Sequence, residues 1–134
     1  MFYKSVAFYL NKYTQPEHQL FTMLPISAMT LREMTAAYIE NNPCELVEFK
    51  ELIDSDPHYC QKIRENEVWK EETEMLAIAY ALKTKIQVYL WYQNKINFYC
   101  VGEFEEFEDS NAPTVCVGFR PIAKCYDSMI HLQN

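Results

Sequence analysis

The spacing of apolar residues changes once along this chain, and that change limits the fold more than any other feature of the sequence. As far as Leu82, apolar residues recur at the three- and four-residue spacing of amphipathic helices, whereas from Ile86 onward they alternate with a period of two. The 134 residues fit one domain, 1–134. The order predicts an α+β fold, in which helices from the amino-terminal half pack on a small, largely antiparallel sheet from the carboxyl-terminal half.

Several helices are expected before the sheet. The first covers Phe2 to Leu10, and a capping box formed by Thr30 and Glu33 predicts the start of the second. Two short amphipathic helices are expected between residues 45 and 68. The last predicted helix presents the apolar stripe Met75, Ile78, Ala79 and Leu82.

The second half of the chain predicts strands. Two alternating runs, 86–93 and 96–101, flank a turn near Asn94 and predict a β-hairpin. Residues 115–119 predict a third strand, and residues 126–130 a short last strand near the hairpin. The acidic segment 102–113 is expected to be a loop.

Charge and cysteine content narrow the function classes. The net charge of −7 argues against nucleic acid or an anionic membrane as a partner. Five cysteines without a C-x-x-C pair argue against a disulfide framework or a zinc ribbon. They favour a reducing compartment, so we expect an intracellular, most simply cytoplasmic, protein. No apolar run is long enough to span a membrane. We expect no cofactor, no metal and a monomer.

Several segments of the chain, taken in their order along the sequence, resemble a known family. Trp69 precedes a glutamate-bearing, alanine-rich helix at 73–79, which leads into IQVY at 86–89. Residues 31–42 look like the L-R-x…Y-I…N helix of the same family. Residues 125–128 read CYDS where the family has H-Y-D-S, and residues 1–6 read MFYKSV where the family has C-x-x-[RK]-[SA]-[IV]. Together these segments resemble the ovarian-tumour (OTU) type of cysteine deubiquitinase.

That resemblance implies a papain-like cysteine protease fold and hydrolysis of isopeptide bonds after ubiquitin. It places the family's nucleophile at Met1, its general base at Cys125 and the acid that orients the base at Asp127. A thioether cannot ionise, and a thiol is a poor replacement for imidazole at neutral pH. The acidic D-G-x segment that precedes the nucleophile in the family is not in the sequence. We therefore expect an OTU-like domain without that amino-terminal segment.

Other titratable residues are weaker candidates for the missing groups. Moving His131 into the place of the base would shift the register of the last strand and aim the ring elsewhere. His18 and His58 are expected at the surface, whereas Cys44 and Cys60 are expected to be buried, inert thiols on helical faces.

Acidic and aromatic clusters also have simpler explanations than catalysis. Glu71, Glu72 and Glu74 are expected to complement the dipole at a helix start. The carboxylates in 103–109 lack the glycine and the spacing of a calcium loop. The hairpin aromatics are expected in the core, although on an exposed face they would suit a protein partner; they are Tyr89, Trp91, Phe98 and Tyr99.

Three functions follow from the resemblance and remain open at this point. The first is a pseudoenzyme, catalytically inactive, that binds ubiquitin or a ubiquitin-like modifier. The second is a fragment or divergent copy of an active cysteine deubiquitinase. The third is a protein-interaction scaffold that has lost ubiquitin binding. We favour the first, because the residues typical of the fold are present while those that perform the chemistry are not.

Overall fold

The helices precede the strands in the computed structural model, which confirms the α+β class. It describes residues 2–14, 16, 19–68, 71–92, 95–100, 114–120 and 125–128. Its α-helices are α1 (Phe2–Tyr13), α2 (Ala28–Asn41), α3 (Val47–Ser55), α4 (Tyr59–Arg64) and α5 (Glu71–Leu82), with a short 3-10 helix at Gln19–Met23. Its strands are β1 (Lys85–Tyr92), β2 (Lys95–Cys100), β3 (Thr114–Arg120) and β4 (Cys125–Ser128). Of the helices in these ranges, none has the length and apolar character to cross a membrane.

The sheet has the strand order β2-β1-β3-β4, with antiparallel pairing of β1 with β2 and of β3 with β4. The hairpin β1–β2 is antiparallel as predicted, but β1 and β3 form a parallel pair in which Ile86 lies opposite Val115. The last strand pairs with β3 at the edge away from β2, not beside the hairpin. Alternation shows which side chains share a face of a sheet but carries no information on strand direction, so the pattern could not reveal the parallel pair.

Helix α2 starts earlier than the sequence predicted. Its N-cap is Ser27, whose Oγ accepts a hydrogen bond from the Thr30 amide at 3.1 Å. Thr30 is therefore the third residue of the helix rather than its cap, and Glu33 contacts Arg64 instead of reaching back. Both Ser27 and Thr30 are good cap residues, so local chemistry alone does not separate them. Asn11 fixes the segment before the cap by exchanging two hydrogen bonds, 2.8 and 2.9 Å long, with the backbone of Ile26.

Among the residues that the structure describes, the core consists of two hydrophobic clusters. The sheet-side cluster joins α1, the start of α2 and α5 to strands β1, β3 and β4; its fully buried members include Val6, Leu31, Ile78, Val115 and Val117. The helical cluster lies among α2, α3 and α4 and includes Ala36, Ile39, Phe49, Ile63 and Ala77. Helix α5 contributes to both clusters. Burial of this apolar surface is the main term that stabilises the fold.

Candidate functional site

The first turn of α1 lies against β4. The Ser5 Oγ donates a hydrogen bond to the backbone carbonyl oxygen of Tyr126 at 2.9 Å. The Phe2 ring meets the Tyr126 ring edge-on, with 5.4 Å between the ring centroids. All three residues are buried. The beginning of the chain is thus held next to the last strand of the sheet.

The positions that the resemblance singled out belong to these two segments. Met1 lies outside the described residues but directly precedes Phe2. Cys125 and Asp127 flank Tyr126 in β4, where their backbones pair with Arg120 and Gly118 of β3. The fold brings the segments together. The roles assigned to the three side chains stay predictions.

Glu74 has a role that the sequence analysis did not predict. It is 0% exposed and accepts hydrogen bonds from the Tyr3 hydroxyl at 2.7 Å and from the Tyr59 hydroxyl at 2.8 Å. The sequence analysis explained Glu74 only as one of three carboxylates at a helix start and did not predict its burial, whereas Glu72 is exposed. A spacing signal existed: Ala77 and Ile78, three and four residues later, are both fully buried, so Glu74 lies on the buried face of α5.

The Glu74 carboxylate supports the first turn of α1 through Tyr3. Burial raises the pKa of the Tyr3 hydroxyl far above its ordinary value, and the charge of Glu74 raises it further. The hydroxyl therefore keeps its proton and donates a hydrogen bond to the carboxylate. The Tyr3 ring in turn packs edge-on against Phe2 at 5.5 Å between centroids. Contacts thus run from Glu74 through Tyr3 and Phe2 to Tyr126 in β4.

The two cysteines expected on helical faces, Cys60 and Cys44, differ in burial. Cys60 is buried as predicted, and burial raises the pKa of its thiol to about 11, with a smaller contribution from the charge of Glu40. A thiol with that pKa is almost entirely protonated near neutral pH and is a weak nucleophile. Cys44 is exposed, so the prediction of a buried thiol is wrong, because Cys44 lies in the turn after α2 rather than on a helical face.

The other candidates are tested only in part. His58 is exposed, as predicted. Tyr89 is partly buried and donates a hydrogen bond to Gln87 Oε1 at 3.1 Å. The remaining candidates, which are His18, His131, the carboxylates of 103–109 and the side chains of Trp91, Phe98 and Tyr99, lie outside the described residues. Within the described ranges, no group of three or more His, Cys, Asp and Glu is arranged to hold a metal ion.

Comparison with known proteins agrees with this geometry. The model of the family described as OTU-like cysteine protease matches residues 2–129. Among solved structures, the OTU domain of OTUD1 superimposes with a TM-score of 0.66 at 21% sequence identity, covering 95% of this chain and 76% of that one. An ovarian-tumour (OTU) domain solved in complex with ubiquitin gives a TM-score of 0.50 at 25% identity, covering 93% of this chain and 63% of that one. No curated protein matches the chain.

Proposed function

The chain belongs to the OTU-like cysteine protease family, and on that basis we propose that it is a non-catalytic OTU-like module that binds ubiquitin or a ubiquitin-like modifier. The observation that carries the proposal is the contact between the first turn of α1 and β4, through Phe2, Ser5 and Tyr126. The three residues of this contact are buried, whereas the residue types at the positions that the resemblance assigns to catalysis do not suit hydrolysis.

Two of the three groups that a cysteine hydrolase needs are replaced in this sequence. A cysteine hydrolase needs a thiolate nucleophile, an imidazole to activate it and a group that orients the imidazole. Met1 stands at the nucleophile position, and its thioether has no proton to lose. Cys125 stands at the base position, where a thiol does not replace imidazole near pH 7. Of the three positions, only Asp127 keeps the family's residue type, and a carboxylate alone does not cleave an isopeptide bond.

Loss of the reacting groups need not remove binding. A specific protein interface spreads over roughly 800 Å² on each partner and about 20–30 residues, so the few reacting atoms supply a small part of it. The solved relative in complex with ubiquitin has a fold similar to this chain, which supports ubiquitin as the partner to test first. We therefore assign the binding surface to the region around the first turn of α1 and β4.

The proposal is tested by titrating ¹⁵N-labelled chain with mono- and diubiquitin. We expect amide shifts concentrated at residues 2–5 and 125–128. A matched pair of variants sharpens the assignment, since Lys4 and Lys12 are exposed at opposite ends of α1. Lys4→Trp should weaken binding by about tenfold through steric overlap, whereas Lys12→Trp should leave it unchanged. Absence of any ubiquitin binding by the folded chain would overturn the proposal and leave the interaction scaffold as the better reading.

A second candidate is a piece of an active cysteine deubiquitinase. It is favoured by one observation, namely that the solved relatives are longer, with this chain covering 76% and 63% of them. A segment upstream of Phe2 would then supply a cysteine and the acidic loop. Cys125 argues against this candidate, because it lies inside a segment that otherwise matches the family.

Repair of the site separates the two candidates. A chain carrying an Asp-Gly-x segment in front of Met1→Cys, with Cys125 retained, should remain inactive on diubiquitin. Addition of Cys125→His should produce at least trace cleavage. Cleavage by the Cys125-retaining chain would show that the base position is dispensable and would favour the second candidate.

A further inference from the structure

A cleft of about 440 Å³ opens between the helices of the helical cluster. It lies where the end of α2, the end of α3 and α4 meet. Apolar groups, contributed by Pro43, Ile53 and Cys60, form part of its lining. Because Cys60 is protonated near neutral pH, its thiol belongs to the apolar part. The volume falls within the range of sites that take small ligands or a few side chains.

The cleft lies in an acidic part of the chain, although the two oppositely charged side chains that line it, Glu40 and Arg64, balance each other. Among the described residues that line it, Arg64 is the one permanent cation. Its Nε donates to Glu33 Oε2 at 2.6 Å, and its Nη2 contacts Glu40 Oε1. One guanidinium thus faces two carboxylates. The segment 45–67, which provides most of the lining, carries seven acidic and three basic side chains, a net charge of −4.

We propose that this cleft binds a basic segment of a partner protein, in which one apolar side chain stands between lysines or arginines. The apolar side chain would occupy the space beside Ile53 and Pro43. The flanking cations would meet Glu40 and the exposed carboxylates of α3, namely Glu48, Glu51 and Asp54. Complementary charge of this kind speeds association and selects the partner. An anionic ligand is disfavoured because Glu33 and Glu40 already engage Arg64.

The cleft is separate from the site at α1 and β4. The residues that line it belong to α2, α3, α4 and their connections, whereas the proposed ubiquitin site uses the first turn of α1 and the last strand. The inference therefore goes beyond the proposed function and does not depend on it. The domain would hold two partners at two surfaces.

The test uses a peptide of defined composition. The probe contains one leucine between two lysines and two arginines, with glycines and blocked ends outside them. Titrated into ¹⁵N-labelled chain, it should shift the amides of the non-proline residues in 40–44 and 53–64, and its affinity should fall as salt is added. A peptide with glutamates in place of the basic residues should not bind, and one with glycine in place of leucine should bind more weakly.

Two variants of the chain control for net charge. Gln61 is an exposed lining residue, and Gln61→Lys adds a positive charge at the cleft. We expect it to weaken peptide binding by roughly tenfold. Met29 is 68% exposed near the opposite end of α2, so Met29→Lys adds the same charge elsewhere and should change binding by less than about twofold. Melting curves of both variants verify that they fold.

Three results would overturn the inference. They are equal binding by the two variants, binding of the glutamate peptide as tightly as the basic one, and displacement of the peptide by ubiquitin. The last would assign the cleft to the ubiquitin surface. If ubiquitin does not bind at all while the peptide still behaves as expected, the proposed function fails and the inference about the cleft stands.

Discussion

Two sets of carboxylates hold the helices together, one inside the protein and one at its surface. Glu74 is fully buried and accepts hydrogen bonds from Tyr3 and Tyr59, which joins α5 to α1 and α4. Glu33 and Glu40 on α2 pair with Arg64 of α4, where the Glu side chains are 57% and 45% exposed. Water can replace the partners of the surface carboxylates but not those of the buried one. Similar groups should therefore differ greatly in what they contribute to stability.

The buried and the surface carboxylates also lie beside different proposed binding surfaces. The buried carboxylate acts on the first turn of α1, beside the proposed ubiquitin site. The surface pairs act on the contact between α2 and α4, beside the cleft. Substitution of Glu74 should therefore disturb the α1–β4 contact, whereas substitutions in the surface pairs should disturb only the contact between α2 and α4.

The largest effect is expected for Glu74→Leu. Two tyrosine hydroxyls would lose their acceptor while staying buried, so the free energy of unfolding should fall by about 4 kcal/mol. Glu74→Gln keeps one oxygen acceptor but replaces the other by an amide NH2 group that cannot accept, so it should lose an intermediate amount, about 2–3 kcal/mol. Glu72→Leu, the same change at the exposed position two residues earlier, should stay within about 0.5 kcal/mol of the parent. Urea unfolding measures all three, and equal losses for Glu72→Leu and Glu74→Leu would contradict the account.

A smaller loss is expected when one donor is removed. Tyr3→Phe and Tyr59→Phe should each lower the free energy of unfolding by roughly 1.5–3 kcal/mol, because each removes a hydrogen bond to a buried carboxylate. Tyr13→Phe is the control, since its side chain is 44% exposed, and it should change little. Of the two, Tyr3→Phe should also shift the amides of Phe2 and Tyr126 in NMR spectra. If Tyr59→Phe shifts the Tyr126 amide as strongly as Tyr3→Phe does, the account of how Glu74 acts on β4 is contradicted.

The surface ion pairs of Arg64 with Glu33 and Glu40 should contribute less to the free energy of unfolding. Arg64→Met keeps much of the apolar stem and removes the charge, so we expect a loss of no more than about 1 kcal/mol. The loss should shrink further in about 1 M salt, because exposed charges are screened. Chemical denaturation in urea at low and high salt measures it. A salt-independent loss as large as that of Glu74→Leu would show that these pairs are shielded from water.

The smallest effect is expected for the partly exposed pair of Asp56 and Lys62, in which Asp56 Oδ2 lies 2.7 Å from Lys62 Nζ. The hydrogen bond lowers the pKa of Asp56 below its ordinary 3.8 and raises that of Lys62 above 10.5. The contribution of the pair is therefore present between these pH values. It is lost as pH falls through the lowered pKa or rises through the raised one. Asp56→Asn should differ slightly from the parent near pH 7 and not at all in strong acid. A difference that grows on acidification contradicts this sign.

The helices and strands were largely predictable because their signals are local. The change of apolar period at Ile86 predicted the order of elements, and the alternation on both sides of Asn94 predicted the hairpin. The cap of α2 was misplaced because Ser27 and Thr30 are equally suitable by type. The parallel pairing of β1 with β3 depends on how distant segments meet, and alternation does not encode that.

For the candidate site, the roles of the predicted residues stay predictions, and the structure bears only on the segments around them. The resemblance singled out Met1, Cys125 and Asp127, and the fold joins the segments that contain or adjoin them. The burial of Glu74 was missed because its donors lie 71 and 15 residues away along the chain. A carboxylate near a helix start is usually solvated, and only the spacing to Ala77 and Ile78 argued otherwise.

The central claim is the proposal that this domain binds ubiquitin but does not hydrolyse its isopeptide bonds. The most direct test is mass spectrometry of the purified chain mixed with ubiquitin propargylamide, a probe that forms a covalent bond with a nucleophilic cysteine. We predict a 1:1 complex under native conditions that separates completely into its two components under denaturing conditions. A covalent adduct that survives denaturation would contradict the account, because the chain would then carry a working nucleophile.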